Sequence, residues 1–289
     1  MKAVAFAPGH ITGFFEPVYS EDFNRTGSRG AGINISLGAV SEVVVQPSSD
    51  QMINIFVNGK QSQAPVTNLA IKHLIGDNPL NIIVKTKLEL PVGQGFGMSG
   101  AGALSTCMAL AKVIDTVSRE DAVRAAHFAD VNSKKGLGDV IASSFGGLEI
   151  RKEPGLPPWG VIERIPSQFE IVIGVVGDAI DTKKVLTDPE LSKKIGEYGR
   201  LCTKKILEAP SVENFFNLSK EFTIQTNIAD ERVKEAISEA EKFGFASMCM
   251  LGNSVFAVGK TQELCRTLMK FGKIYLCLVD EGGARILQD

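Results

Sequence analysis

The chain lacks most of the features that would place it quickly. Its 289 residues contain no apolar run long enough to span a bilayer, and the N-terminus lacks the pattern of a signal peptide. Lysine and arginine number 31 against 33 acids, a formal net charge of −2. That balance removes the electrostatic case for nucleic acid or an acidic membrane as a partner. The five cysteines (Cys107, Cys202, Cys249, Cys265, Cys277) are odd in number and have no Cys-x-x-Cys spacing. Free buried thiols in a reducing, cytoplasmic compartment are therefore expected, rather than disulfides or zinc. Repeats, heptads and low-complexity tails are also missing, so nothing supports a bare structural role.

Lysine is absent from the most informative segment as well. Residues 91–105 carry five glycines within ten positions, follow a β-rich run at 81–90 and open a small-residue helix reaching about Asp115. Glycines let the backbone approach a ligand, and the free N–H groups of a helix start favour an anion. The bland alternative is a turn that merely lets a helix pack closely on a sheet. A P-loop is excluded because it needs Gly-Lys-Ser/Thr. Gly95-Phe96-Gly97-Met98-Ser99-Gly100 matches a dinucleotide fingerprint literally, but that motif belongs at the first strand of a βαβ unit with an acid about twenty residues on. Here Asp115 ends the same helix. The segment reads as a triphosphate site, with the Ser99 hydroxyl at its lip.

The remainder divides into β-type runs at 41–46, 51–57, 169–176, 245–250, 254–258 and 273–280. Helical patterns fall at 100–115, 119–132, 189–208, 212–225, 231–243 and 261–271. The N-terminal residues read as a strand that breaks at Pro8. The densest cluster of breakers, 154–160, suggests a lobe boundary dividing 1–153 from 154–289. Mixed order without a regular βαβ repeat argues for an α+β fold.

Three stretches together resemble the GHMP kinase superfamily. Pro91, Gly95, Gly97 and Ser99 fall on its phosphate loop, roughly Pro-x-x-x-Gly-Leu-Gly-Ser-Ser-Ala, with Phe96, Met98 and Gly100 as replacements. Ala7-Pro8-Gly9-His10-Ile11-Thr12-Gly13 looks like the first motif, with His10 where the family often has a lysine. The segment 136–147, starting Gly136-Leu137-Gly138-Asp139, resembles the one that carries the catalytic aspartate. Within the superfamily, Thr26-Gly27-Ser28-Arg29-Gly30-Ala31-Gly32 together with Gly-Phe-Gly-Met-Ser-Gly-Ala-Gly resembles the archaeal pantoate kinases. The resemblance implies a GHMP kinase-like two-lobed α+β fold, with a ribosomal-S5-like N-terminal lobe and a ferredoxin-like C-terminal lobe. It also implies ATP-dependent phosphorylation of the primary hydroxyl of pantoate, giving 4-phosphopantoate for coenzyme A synthesis. Homoserine, shikimate or mevalonate are alternative acceptors, and a non-catalytic nucleotide-binding relative is a third reading. A homodimer is compatible with the sequence.

Site residues follow from the same resemblance. Pro91, Gly93, Gly95, Phe96, Gly97, Met98, Ser99, Gly100, Ala101 and Gly102 are expected around the triphosphate. Ser99 and Asp130 are expected to hold Mg²⁺, although the family usually has a glutamate at the second position. Asp139 is expected to activate or orient the acceptor hydroxyl; an aspartate before a helical run equally suits an N-cap. His127 shares a helical face with Asp130, and a buried structural ring is the alternative to substrate contact. Arg151 is a candidate for the substrate carboxylate, since a guanidinium clasps one bidentately, with a surface arginine as the alternative; Arg29 is a second candidate, for that carboxylate or a phosphate. Thr182 is a candidate for a substrate hydroxyl. Two departures stand out: an unperturbed His10 is mostly uncharged at neutral pH, and the third motif, 250–256, keeps only Gly252.

Overall fold

The structure is a computed structural model that describes residues 1–133, 136–180 and 188–288. Two long strands begin it: β1 (Lys2–Val18) and β2 (Gly27–Pro47), antiparallel along nearly their whole length. The expected break at Pro8 does not occur. Pro8 sits where the β1–β2 register shifts, and a residue without an N–H is tolerated at such an irregularity. β3 (Met52–Val57), the short β4 (Lys60–Gln61) and β5 (Leu80–Leu88) extend the sheet on one side, β3 running parallel to β5. β12 (Arg285–Gln288) pairs with β1 on the other side, giving the order β12-β1-β2-β5-β3-β4. β6 (Leu148–Glu153) pairs with the N-terminal half of β2, and β7 (Val161–Ile165) pairs with β6. The breaker cluster at 154–160 therefore connects two paired strands of one sheet. The chain changes sheet between Ile165 and Glu170.

Four helices among the described residues belong to this half. α1 (Pro65–Ile75) escapes the hydrophobic pattern, yet it has proline in its first turn and Gly76 at its end. α2 (Met98–Val113) is small-residue-rich and almost wholly buried; it packs on β1 and β2 and lies beside α1 and α3 (Arg119–Asn132). α4 (Asp139–Phe145) is short.

The second sheet joins β8 (Glu170–Val175), β9 (Gly244–Met248), β10 (Ser254–Gly259) and β11 (Lys273–Leu278) in the order β11-β8-β10-β9, with every pair antiparallel. Helices α5 (Pro189–Glu208), α6 (Val212–Thr226) and α7 (Glu231–Ala240) connect β8 to β9, and α8 (Thr261–Leu268) connects β10 to β11. That order and connectivity are ferredoxin-like, as expected. Aromatic rings join the halves: Phe14 lies 6.1 Å from Phe215, and Phe15 lies 5.9 Å from Phe222. Gly199 of α5 meets the backbone of Phe15 so closely that a Cβ would fall 1.9 Å from its carbonyl oxygen. No helix among the described residues is long and apolar enough to cross a membrane.

Candidate active site

A cleft of about 140 Å³ opens where the two halves meet. Its floor is the glycine-rich segment, and three glycines there have backbones that L side chains rarely adopt: Gly93 (φ 78°), Gly95 (φ 78°) and Gly97 (φ 60°). A Cβ on Gly95 would lie 2.5 Å from the carbonyl oxygen of Cys249, so the loop presses against the second half. Gly97 is the N-cap of α2 and has no side chain to close the helix. The first helical bond runs from Ala101 N–H to Gly97 O (2.9 Å), leaving the N–H groups of Met98, Ser99 and Gly100 without helical acceptors. All three residues line the cleft. An open helix start in a glycine cradle is a ready anion site. The loop is braced from behind: Ser254 donates to Gln94 O (2.5 Å) and Gln94 to Gly177 O (2.8 Å).

Opposite the helix start are two carboxylates. Asp130, on α3, is buried beside the Gly100 and Gly136 backbones, and Asp139 begins α4 against Gly97. Burial, with the like charge of Asp139 added to it, holds the Asp130 carboxyl well above the usual aspartate range. Among the described residues no group of three or more His, Cys, Asp or Glu side chains could hold a metal. Ser99 and Asp130, the pair expected to hold Mg²⁺, both line the cleft.

Asp139 leans on a buried polar chain. Its Oδ1 lies 2.8 Å from His10 Nδ1, and His10 Nε2 lies 2.9 Å from Glu149 Oε1. Arg151 Nη1 donates to the same Glu149 oxygen, and Arg151 Nε to Ser28 Oγ (3.2 Å). Glu149 Oε2 and Arg151 Nη2 are buried without a hydrogen-bond partner among the described residues. Burial opposes a charged His10, but the hydrogen bonds and charges of Asp139 and Glu149 outweigh it and raise its pKa. Sheet register builds this chain: Gly32 of β2 pairs with Glu149 and Gly30 with Arg151. A Cβ on Gly32 would lie 2.2 Å from His10 Nε2, so the missing side chain is what admits the ring.

Of the expected phosphate residues, Gly93, Gly95, Phe96, Gly97, Met98, Ser99 and Gly100 line the cleft. Pro91, Ala101 and Gly102 do not; Gly102 already lies in the helix, turned toward Leu88 and Thr67. Asp130 and Asp139 are both in the lining. His127 is not. It is buried, with Nε2 donating to the carbonyls of Thr26 (3.0 Å) and Phe23 (3.2 Å), so its ring braces the segment before β2. Arg29 is also outside the lining and pairs with Glu153 (2.8 Å) and Glu16 (3.6 Å). Arg151 is only 1% exposed and stands behind Ser28, which does line the cleft. Thr182 lies outside the described residues. His10 is sealed behind Asp139 instead of facing the cleft. In the third motif, Met250 and Leu251 reach the cleft, Gly252 packs on the Gln94 backbone, and Asn253 turns away to Asp178 O (2.9 Å). Ser28, Thr12 and Glu149 had not been singled out. Glu149-x-Arg151, alternating with Leu148 and Ile150, carries the one sequence signal, two charges on one face of a strand.

Residues 65–147 match the GHMP kinases N terminal domain. The chain is 36% identical to a pantoate kinase of Methanocaldococcus jannaschii, over 90% of this chain and 93% of that protein. It is 32% identical to a pantoate kinase of Methanospirillum hungatei, over 99% of this chain and 96% of that one. A solved structure described as a phosphotransferase related to the CoA biosynthesis pathway superposes with a TM-score of 0.90 at 28% identity, covering 100% of this chain and 99% of that chain. With that identity maintained across both halves of the fold, the chain belongs to the pantoate kinase family of the GHMP kinases.

Proposed function

We propose that the chain transfers the γ-phosphate of ATP to the primary hydroxyl of pantoate, giving 4-phosphopantoate and ADP. The single observation that carries this reading is one cleft holding an uncapped helix start in a glycine cradle and, facing it, the carboxylate of Asp139. The family supplies the acceptor, since its relatives are pantoate kinases.

Phosphoryl transfer asks for donors around the phosphates, neutralised charge and an oriented acceptor oxygen. The N–H groups of Met98, Ser99 and Gly100 supply the donors. Ser99 Oγ and Asp130 offer the oxygen ligands that Mg²⁺ prefers, and the buried, charge-crowded carboxylate of Asp130 is better satisfied by a cation than by solvent. Magnesium bound there would neutralise phosphate charge. Asp139 accepts the hydroxyl proton as the bond from the acceptor oxygen to the γ-phosphorus forms and the bond to the β-bridging oxygen breaks. Ser28 and Thr12 offer hydroxyls to the acceptor, and Arg151 acts through Ser28.

The test is ADP release with Mg-ATP against pantoate, homoserine, shikimate and mevalonate, alongside Asp139→Asn. We expect pantoate-dependent turnover that falls about 100- to 10,000-fold in the variant, the range for losing a general base. Turnover with another acceptor would keep the chemistry and discard pantoate. ATP binding without turnover on any acceptor would discard the kinase reading.

A further inference from the structure

We propose that His10 is a positioning residue for this reaction, clamping Oδ1 of Asp139 so that Oδ2 alone is presented to the acceptor hydroxyl. This rests on the kinase reading above.

Both ring nitrogens of His10 face carboxylate oxygens, Asp139 Oδ1 at 2.8 Å and Glu149 Oε1 at 2.9 Å. An acceptor at each end calls for a proton on each nitrogen, so the ring is an imidazolium that donates both ways. The groups facing it come from three elements. Asp139 reaches it from α4, Glu149 and Arg151 from β6, and Thr12 from β1, whose Oγ1 is 3.5 Å from Nδ1. β2 contributes only the bare backbone of Gly32.

The clamp cannot rotate away. The side chains of His10 and Glu149 are 0% exposed, and Arg151 locks Glu149 in place while its own Nε is tied to Ser28. A Cβ on Gly138, directly before Asp139, would fall 2.4 Å from Ser28 Oγ and 2.9 Å from Arg151 Nε. The backbone of His10 is committed as well, its N–H donating to Phe96 O (3.0 Å) in the phosphate loop. One residue therefore fixes the distance between the phosphate cradle and the reacting carboxylate.

Stability does not explain the arrangement. Three buried charged side chains in contact, His10, Glu149 and Arg151, repay their desolvation only with favourable geometry, and apolar residues of similar volume often do as well. Placement explains it better. A carboxylate already fixed by a charged donor needs no reorganisation when the acceptor arrives. The proton taken from the acceptor goes to Asp139 Oδ2, and His10 keeps both of its own.

The experiment joins a spectroscopic readout to kinetics. The chain has only three histidines, so ¹⁵N imidazole resonances of His10, His73 and His127 can be assigned by single substitutions. His10 should show two protonated nitrogens at neutral pH in the wild type and lose that signature in Glu149→Gln. His10→Gln should lower kcat about 100-fold, the cost of an ångström-scale misplacement, while the KM for ATP changes less than about threefold. His10→Lys should recover part of the lost kcat, because a cation of different shape can still hold Oδ1. A neutral His10 at neutral pH, or an unaltered kcat in His10→Gln, overturns the proposal. Should His10→Gln fail to fold, Glu149→Gln carries the kinetic arm, with the same fall expected and an unaltered kcat again overturning the clamp. Wild-type chain without turnover on any acceptor overturns the kinase reading and this proposal with it; normal wild-type turnover with an unaffected variant overturns the clamp alone.

Discussion

His10 and His127 are both sealed from solvent, yet their surroundings give them opposite charge preferences. Burial lowers the His127 pKa, and the two carbonyls it meets recover only part of that. At His10 the carboxylates outweigh burial and raise it. The consequences for stability have opposite signs. A raised folded pKa gives stabilisation that is full below the unfolded value of about 6.5 and lost as pH rises through the folded value. A lowered one gives stabilisation present above about 6.5 and lost as pH falls through the folded value. We therefore expect the denaturant midpoint to decline on both sides of neutrality. His127→Gln should flatten the acid limb and His10→Gln the alkaline limb, read from midpoints across a pH series. The sequence carried only half of this. Asp139 is legible because a short glycine-rich segment carries it, whereas Asp130 stands where the family usually has a glutamate and is placed only by its helix. His10, Glu149 and Arg151 come from strands far apart in the chain and meet only through the β1–β2–β6 register, which no local pattern encodes. His127 shares a helix with Asp130, but its ring is taken by carbonyls of a segment a hundred residues away in sequence.

Among the described helices four are closed by side-chain caps and four, α1, α2, α4 and α8, are not; α2 and α4, which both open on the cleft, start at bare glycines. α3 is closed by a full capping box at Ser118 and Asp121. α5, α6 and α7 are closed by Asp188, Ser211 and Asp230. α2, buried along nearly all its length, starts at a bare glycine that opens on the cleft. Ser118→Ala should cost about 1 kcal/mol of stability and leave the KM for ATP unchanged. Ser99→Asp should do the reverse. A carboxylate in the first turn suits the helix dipole by about 0.3–1 kcal/mol, yet it places negative charge where the phosphates must sit. The KM for ATP should rise at least about tenfold, a loss of about 1.4 kcal/mol of binding. Thermal melts without ligand and ATP-dependent rates test the pair. The same caps explain which elements could be read from sequence. Arg119–Asn132 and Pro189–Glu208 match the expected ranges because Ser118, Asp188 and Pro189 mark their starts. β1 and β2 were under-read because Pro8 and the glycines at 27–32 look like breakers, whereas the fold uses them for a register shift and for close approach.

Across the molecule, the sealed thiols report how closely the two halves pack. Burial pushes Cys107, Cys202, Cys249 and Cys277 up to about 12, with each thiol kept neutral inside the core. Cys265 is only partly buried. A thiol reagent at mildly alkaline pH should therefore modify Cys265 alone in the native chain and all five cysteines after denaturation. Pantoate with Mg-ATP should slow any further modification by stabilising the folded state. Cys249 deserves the closest watch in that assay, because its carbonyl abuts Gly95 and any parting of the halves at the cleft would uncover it. The α+β class was legible at this scale from the irregular order of elements. The place where the chain crosses from one sheet to the other was not, since a proline-rich hairpin loop and a linker have the same composition.

The pairing of β12 with β1 sets a timetable for the newly made chain. β1 is made well before its outer neighbour, which follows the whole of the second sheet in sequence. The first sheet cannot acquire that edge until the second sheet has been made. During translation β1 must wait with that side unpaired, and a nascent-chain ligand assay should find nucleotide binding appearing only after β12 has emerged.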